Sequence, residues 1–179
     1  MPWRLLLTTL AAAALFALAA PGLPVRAAAD GAPDAPAARA IVVDDAVTLV
    51  VPSAMADEVA PLQDGAHLLT ETVGDATLTL VVYTGKKPPS AYAALKVHTD
   101  ELEKATGADG AVKRLKLPFL GGRRAARELV YTARGAEHVA RVVAHHGKGW
   151  TVVLTTSAPV DDHDADAEVT RRTALIEVR

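Results

Sequence analysis

Two apolar-alternating runs, Ala66–Val73 and Ala76–Thr84, are separated by only two residues, Gly74-Asp75. A two-residue connection with a glycine between such runs is typical of a tight β-hairpin. This feature constrains the fold most, because it requires antiparallel pairing between neighbouring strands. Counting outward from the turn gives two facing pairs of apolar residues: Leu69 with Leu80 and Leu68 with Val81.

Further strands are predicted on both sides of this hairpin. The run Val47–Val51 is rich in β-branched residues and stops at Pro52. Three later runs have the same character and are separated by glycine-containing turns at 134–136 and 147–149: Val112–Leu117, Arg123–Ala133, and Glu137–Thr156, which bends once in its middle.

Two segments carry helix signals. Ser90 can cap a helix that Gly107 ends. The residues of its predicted inward face recur at spacings of three and four: Tyr92, Leu95, Thr99 and Leu102. A second helix is predicted to start in the acidic stretch Asp161–Asp166, whose charge matches the helix dipole. Its basic end carries Arg171, Arg172 and Arg179, and its inward face carries Val169, Thr173 and Ile176.

The order of these elements predicts the fold class. Hairpin-connected strands interrupted by two helices indicate an α+β protein, with a mainly antiparallel β-sheet of six to seven strands covered by two helices.

The N-terminus is typical of a secretory signal peptide. Arg4 precedes the uncharged run Leu5–Ala20, and small residues follow at 27–29. We expect cleavage before Asp30 or at the Ala27–Ala28 bond; the alternative is a retained membrane anchor, for which the run is short. The predicted organisation is a signal peptide at 1–29, an Ala/Pro-rich linker at 30–40 and one domain at 41–179. The mature protein is expected outside the cytoplasmic membrane, either periplasmic or secreted.

Composition excludes several classes. The chain has no cysteine, which excludes a disulfide scaffold and a cysteine nucleophile. Its net charge is −2, and loss of Arg4 and Arg26 with the signal peptide makes it −4. We therefore expect no general attraction for nucleic acid or anionic lipid, and no membrane span after cleavage.

The run from Leu120 to Pro159 resembles the PsbP/Mog1-like domains, including the bacterial DcrB-like group. In these domains a strand ending in Pro opens the fold, as Val47–Pro52 does here. A glycine and small-residue step enters a long strand, as at Gly121–Ala126. Paired strands then contain an aromatic residue and a small-polar ending with Pro, as at Trp150 and Thr155–Pro159. The resemblance implies an αβα sandwich and a binding or assembly role without a cofactor.

Alternating acids at 162–166 (DHDAD) look like the start of a calcium-binding loop. Such a loop needs a Gly at its sixth position and an acid at its twelfth, but Ala167 and Thr173 stand there. A solvated helix start is the favoured interpretation.

The histidines give no metal site. His145 and His146 are adjacent in a strand, so their rings point to opposite faces. His145 is predicted to lie opposite Trp150 as a structural cross-strand pair. His138 is too far along the strand to join them, and His67 and His98 have no acidic neighbour at ligand spacing.

The remaining candidate motifs have structural interpretations. Ser53, Ser90 and Ser157 lie beside a proline or a helix start, which indicates turn and cap roles rather than a nucleophile. Gly121-Gly122-Arg123-Arg124 precedes a strand rather than a helix, so it indicates a strand-entry turn rather than a phosphate cradle.

These observations predict no catalytic, cofactor-binding or metal-ligating residues and no cofactor. The favoured function is an exported, non-enzymatic binding or accessory and assembly protein of the bacterial cell envelope, whose partner is a protein or a small ligand. Two alternatives stay open: a hydrolase assembled in space from His145, Asp161 and a serine, or a signal-anchored structural envelope protein. The oligomeric state is open. Trp150 is expected to be buried on the same sheet face as Val152 and Leu154.

Overall fold

The computed structural model describes residues 37–55, 60–62, 66–108 and 112–179, with backbone alone at 60–62. The predicted signal peptide and the linker as far as residue 36 lie outside these ranges. The described strands are β1 (Ala38–Val43), β2 (Val47–Pro52), β3 (Ala60–Leu62), β4 (Ala66–Val73), β5 (Ala76–Thr84), β6 (Lys113–Phe119), β7 (Gly122–Ala133), β8 (Ala136–Gly147), β9 (Trp150–Pro159) and β10 (Glu177–Val178). The helices are α1 (Ala91–Thr106) and α2 (His163–Thr173).

The larger sheet has seven antiparallel strands in the order β3-β4-β5-β9-β8-β7-β6. The predicted α+β class is confirmed, and so is the register of the β4–β5 hairpin, in which Leu69 faces Leu80 and Leu68 faces Val81. Because the two-residue turn fixes the pairing, every later pair along the hairpin follows from it.

A second sheet of three strands, in the order β1-β2-β10, was not predicted. β1 begins at Ala38, inside the segment expected to be linker, and pairs with β2 along its whole length. β10 contributes two residues, which pair with Val50 and Leu49 of β2. Both strands depend on partners supplied by β2 rather than on a strong local pattern.

The two faces of the larger sheet are covered differently. On one face α1 packs against β7, β8 and β9. On the other face α2 packs against β4, β5 and β9, and the three-stranded sheet shares this core. The fully buried centre of this second face includes Leu49, Leu80 and Leu154. The result is a three-layered sandwich with the seven-stranded sheet in the middle.

The predicted start and end of α1 are confirmed, and α2 also has a cap. The Ser90 hydroxyl accepts a hydrogen bond from the Ala93 N–H at 3.2 Å, and Gly107 ends α1 with φ of 64°. Asp162 accepts one from the Ala165 N–H at 2.9 Å at the start of α2. The predicted inward face of α1 is wrong at Tyr92, which is 69% exposed in the first helical turn. None of the helices in the described ranges is both long and apolar enough to cross a membrane.

Candidate functional site: a groove between the larger sheet and the second helix

An open groove of about 1240 Å³ lies on the face of the larger sheet that carries α2. α2 packs mainly against β4, β5 and β9, so among the described residues no helix packs closely over the β6–β8 half of this face. Strands β6 to β9 form the floor and one wall, while α2, the segment after it and β10 form the other wall. The groove is thus a consequence of the off-centre position of α2.

Apolar side chains line most of the groove. The alternation of β6 directs Leu115, Leu117 and Phe119 to this face. Val169 of α2 and Ile176, which follows it, lie on the opposite wall. Leu115 and Leu117 are half-buried and contact the core cluster from its edge. Apolar surface therefore remains open to solvent between two rigid elements.

One charged network crosses the groove. Arg141 on β8 donates from Nε to Oε2 of Glu128 on β7 at 2.9 Å and from Nη1 to Asp166 on α2. Burial opposes ionisation of Glu128, but Arg141 and Lys113 more than offset it and hold the pKa of this carboxyl below its usual range. Burial likewise opposes the charge of Arg141, and its two carboxylate partners raise its pKa. The network is paired internally and ties α2 to the sheet.

Trp150 and His145 lie at the other end of the groove. Their rings contact edge to face, with centroids 5.4 Å apart and an interplanar angle of 71°. The indole lies directly over Gly147, where a Cβ atom would overlap it. Burial lowers the pKa of His145, and the nearby charges of Arg124 and His146 lower it further. Both effects favour the neutral form of the imidazole beside the aromatic ring.

The predicted contact between His145 and Trp150 exists, but the predicted register is wrong. His145 faces Val152 and Trp150 faces Gly147, so the two rings meet diagonally. Trp150 shares a face with Val152 and Leu154, as expected. It is half-buried rather than buried, because α2 does not extend over this end of β9.

The residues of the hydrolase alternative are not brought together. Asp161 follows the far end of β9, more than about 20 Å along the strand from the position that faces His145. Ser157 lies on the opposite sheet face and shares a hydrogen bond of 2.7 Å with the Tyr131 hydroxyl. Its expected turn role is wrong, because β9 continues to Pro159 and buries Ser157 inside the strand.

The other candidate motifs have the structural roles favoured above. Asp162 caps α2 and Asp166 pairs with Arg141, so the acidic stretch is a helix start. Within the described ranges no group of three or more His, Cys, Asp or Glu residues is placed to hold a metal ion. Leu120 and Gly121, with φ of 47° and 70°, form the tight turn that enters β7.

His67 has an acidic partner that sequence reasoning missed. Its Nε2 lies 2.6 Å from Oδ2 of Asp44, in the turn between β1 and β2. The Thr84 hydroxyl donates to the same oxygen at 2.5 Å. The pKa of Asp44 is lowered by the hydrogen bond from Thr84 and then by that from His67. The signal available in the sequence was the Asp44-Asp45 pair between two β-branched runs, which is typical of a turn.

Comparison with solved structures gives two partial likenesses. The solution structure of the cyanobacterial PsbP (CyanoP) of Synechocystis sp. PCC 6803 is similar over 85% of this chain and 98% of that chain, at 11% identity and a TM-score of 0.46. The crystal structure of LpqN, involved in cell envelope biogenesis of Mycobacterium tuberculosis, is similar over 83% of this chain and 86% of that chain, at 19% identity and a TM-score of 0.38. Neither a protein-family model nor a curated protein matches the sequence significantly. The narrower DcrB-like resemblance stays a prediction.

Proposed function

We propose that the protein is an exported, non-enzymatic binding or accessory protein of the cell envelope, and that it holds an elongated apolar ligand, such as an acyl chain, in the groove between the larger sheet and α2. The observation that carries this proposal is the open, largely apolar groove of about 1240 Å³. Its volume exceeds the roughly 300–1,000 Å³ of common ligand sites.

The lining favours an apolar ligand over a charged one. Leu115, Leu117 and the buried Phe119 form one wall. Covering the half-buried Leu115 and Leu117 would remove apolar surface from water, which stabilises a complex by about 25 cal/mol per Å². Three charged groups of the groove, Glu128, Arg141 and Asp166, are already paired with one another. A charged ligand at these residues would have to compete with those ion pairs.

The groove also offers one end where a polar group can lie. Trp150 and His145 contact each other there, and Trp150 is half-buried. Aromatic rings with a polar edge are suited to the boundary between an apolar chain and a wet end group. We therefore place the polar end of the ligand at Trp150.

A fluorescent acyl probe, dansyl-undecanoic acid, tests the proposal on the purified protein. We expect saturable binding, and Leu117→Arg should weaken it at least about tenfold, because a cation on the wall would be desolvated by the ligand. The matched control is Val42→Arg, at an apolar residue that is 63% exposed on β1 and outside the groove. Equal binding by both variants, or no binding by the parent chain, would contradict the proposal.

The proposed location rests on the N-terminal pattern of Arg4 and Leu5–Ala20. N-terminal sequencing of protein from fractionated native cells should give a start at Ala28 or Asp30, in an extracytoplasmic fraction. A start at Met1 or Pro2 would contradict cleavage and favour the signal-anchored alternative. Proteins that co-purify from the native envelope would then identify the partner.

A further inference from the structure

A strongly basic segment lies at one edge of the protein, although its net charge is −2. Residues 113–127 contain six basic side chains and no acidic one: Lys113, Arg114, Lys116, Arg123, Arg124 and Arg127. Net charge alone therefore conceals a local concentration of positive charge.

The fold puts three of these cations on one exposed surface, the basic edge, defined as Arg114, Lys116 and Arg123. β6 is the edge strand of the larger sheet, and α1 packs against β7, β8 and β9 instead. Arg114 and Lys116 alternate onto the same face of β6, about 7 Å apart. Arg123 on β7 is diagonal to Lys116, and its guanidinium donates to the Lys116 carbonyl oxygen at 3.3 Å.

The basic edge lacks the acidic partners that other cations have. Lys96, Lys104 and Arg172 each pair with a carboxylate on their own helix. Within the described ranges, no carboxylate lies within 4 Å of any residue of the basic edge. Arg114 directly faces Arg127 across the strands, and of the two only Arg127 has a carboxylate nearby, that of Asp100 on α1 at 4.0 Å. Within the described ranges, the basic edge therefore carries positive charge that no protein carboxylate neutralises.

Protection of a sheet edge against aggregation explains only part of this pattern. Lysine and proline on an edge strand prevent unwanted pairing, which accounts for Lys116 and Pro118. It does not account for Arg123, which is on the second strand. Arg123 extends the charge across the face of the hairpin rather than along its free edge.

We propose that the basic edge binds the surface of an anionic phospholipid bilayer. Its cations are exposed, are spaced about 7 Å apart, and do not converge on a cavity, so they fit an extended array of phosphates better than one point anion. Arg114 and Lys116 do not line the groove, whereas Arg123 does. The inference concerns a membrane surface rather than the ligand proposed for the groove, and the vesicle experiment tests it separately from the acyl-probe experiment.

Sedimentation with lipid vesicles tests the inference on the full chain. We expect binding to vesicles of phosphatidylcholine mixed with phosphatidylglycerol, with weaker binding at high salt because the charges are screened. Each cation near an anionic surface contributes about fivefold in partitioning, so Lys116→Gln/Arg123→Gln should bind roughly 25-fold more weakly. The matched control, Arg134→Gln/Arg179→Gln, removes the same charge at exposed sites elsewhere and should bind like the parent chain. Thermal melts check that both variants fold.

Three outcomes would overturn the inference. Equal losses in the two double variants would show that net charge, not the basic edge, controls binding. If the protein bound pure phosphatidylcholine vesicles as well as the anionic ones, apolar contacts rather than charge would be responsible for membrane binding. Unchanged binding by Lys116→Gln/Arg123→Gln would leave edge protection as the role of these cations.

Discussion

His67 and Asp44 form a contact of 2.6 Å that joins the two sheets, because His67 is on β4 and Asp44 is in the turn between β1 and β2. The Thr84 hydroxyl donates to the same carboxylate oxygen, so three elements meet at one atom. Asp44 adopts φ of 47°, a left-handed conformation that Asp and Asn tolerate better than other non-glycine residues. The Asp44 carboxylate, in the short turn between β1 and β2, therefore links the three-stranded sheet to the larger sheet.

Asp44→Asn should lower the thermal stability at neutral pH, since it removes the charge that His67 and Thr84 stabilise while it keeps the backbone conformation. The pKa of Asp44 is lowered from 3.8 in the folded state. Its contribution to stability is therefore present above pH 3.8 and is lost as the pH falls through the lower, folded-state pKa. Melts from pH 7 down to pH 3 should show the parent chain and the variant converging in acid.

Asp45→Asn is the matched control for this experiment. Asp45 is the next residue, has φ of 51° and is exposed. We expect its substitution to change the melting temperature little at any pH. A similar loss for Asp45→Asn and Asp44→Asn would mean that the turn, and not the contact with His67, controls stability.

The parts of the fold that sequence analysis predicted are those encoded locally. The turn at Gly74-Asp75 has two residues, so it fixes the β4–β5 register without help from the rest of the chain. The predicted cap at Ser90 satisfies a backbone N–H group three residues away, that of Ala93. Such features need no knowledge of the tertiary structure.

The features that were missed depend on distant parts of the chain. β10 has two residues and exists because β2 supplies its partners more than 120 residues earlier. The contact of Asp44 with His67 joins residues 23 positions apart on different sheets. The groove arises because α2 covers β4, β5 and β9 and leaves β6–β8 open, and no local pattern encodes that lateral position.

A buried ion pair between Glu71 and Arg172 supplies the next prediction. Glu71 is buried on β4, and its Oε1 accepts from Nη1 of Arg172 on α2. Arg172→Met would leave a buried carboxylate unpaired, which costs about 3–5 kcal/mol. Denaturant unfolding should therefore show a large loss of stability for this variant.

Two further variants identify the cause of that loss. Arg171→Met removes a neighbouring cation whose pair with Glu168 is half-exposed, and it should cost less than about 1 kcal/mol. The double variant Glu71→Met/Arg172→Met should be more stable than Arg172→Met alone, because no unpaired charge remains in the core. If the double variant were the less stable of the two, loss of packing rather than an orphaned carboxylate would be responsible.

The Tyr83–His98 pair predicts a second pH dependence. Nε2 of His98 on α1 lies 2.7 Å from the Tyr83 hydroxyl on β5, and burial lowers the pKa of His98 to about 4. His98 therefore binds a proton near pH 6.5 in the unfolded chain but only near pH 4 in the folded chain. The free energy of unfolding should fall as the pH is lowered from 6.5 toward 4. A pKa shift of this size corresponds to a loss of roughly 3 kcal/mol of stability. We expect a smaller loss, because part of the His98 surface is exposed.

His98→Gln should flatten that part of the pH–stability curve, since glutamine can still bond to Tyr83 but does not titrate. His163→Gln, at an exposed histidine in the first turn of α2, is the control and should leave the curve unchanged. An NMR titration of the ring protons would measure the pKa of His98 directly. A value near 6.5 would contradict the burial of this imidazole.

The packing of Trp150 over Gly147 predicts that a single methyl group at Gly147 will disturb the aromatic end of the groove. Gly147 has no positive φ, so alanine is allowed by its backbone, but its Cβ would overlap the indole ring. The indole ring is rigid and has to move as a whole. We therefore expect Gly147→Ala to lose about 1–3 kcal/mol of stability and to shift the tryptophan emission as the ring becomes more exposed. Gly122→Ala is the matched control, because its Cβ would meet the flexible guanidinium of Arg124 at 3.2 Å, and its stability and emission should stay close to those of the parent chain. Trp150→Ala should cost less than the roughly 3–5 kcal/mol of a fully buried tryptophan, because the ring is half-buried. Unchanged emission and stability in Gly147→Ala would show that the indole already occupies another position in solution, away from His145.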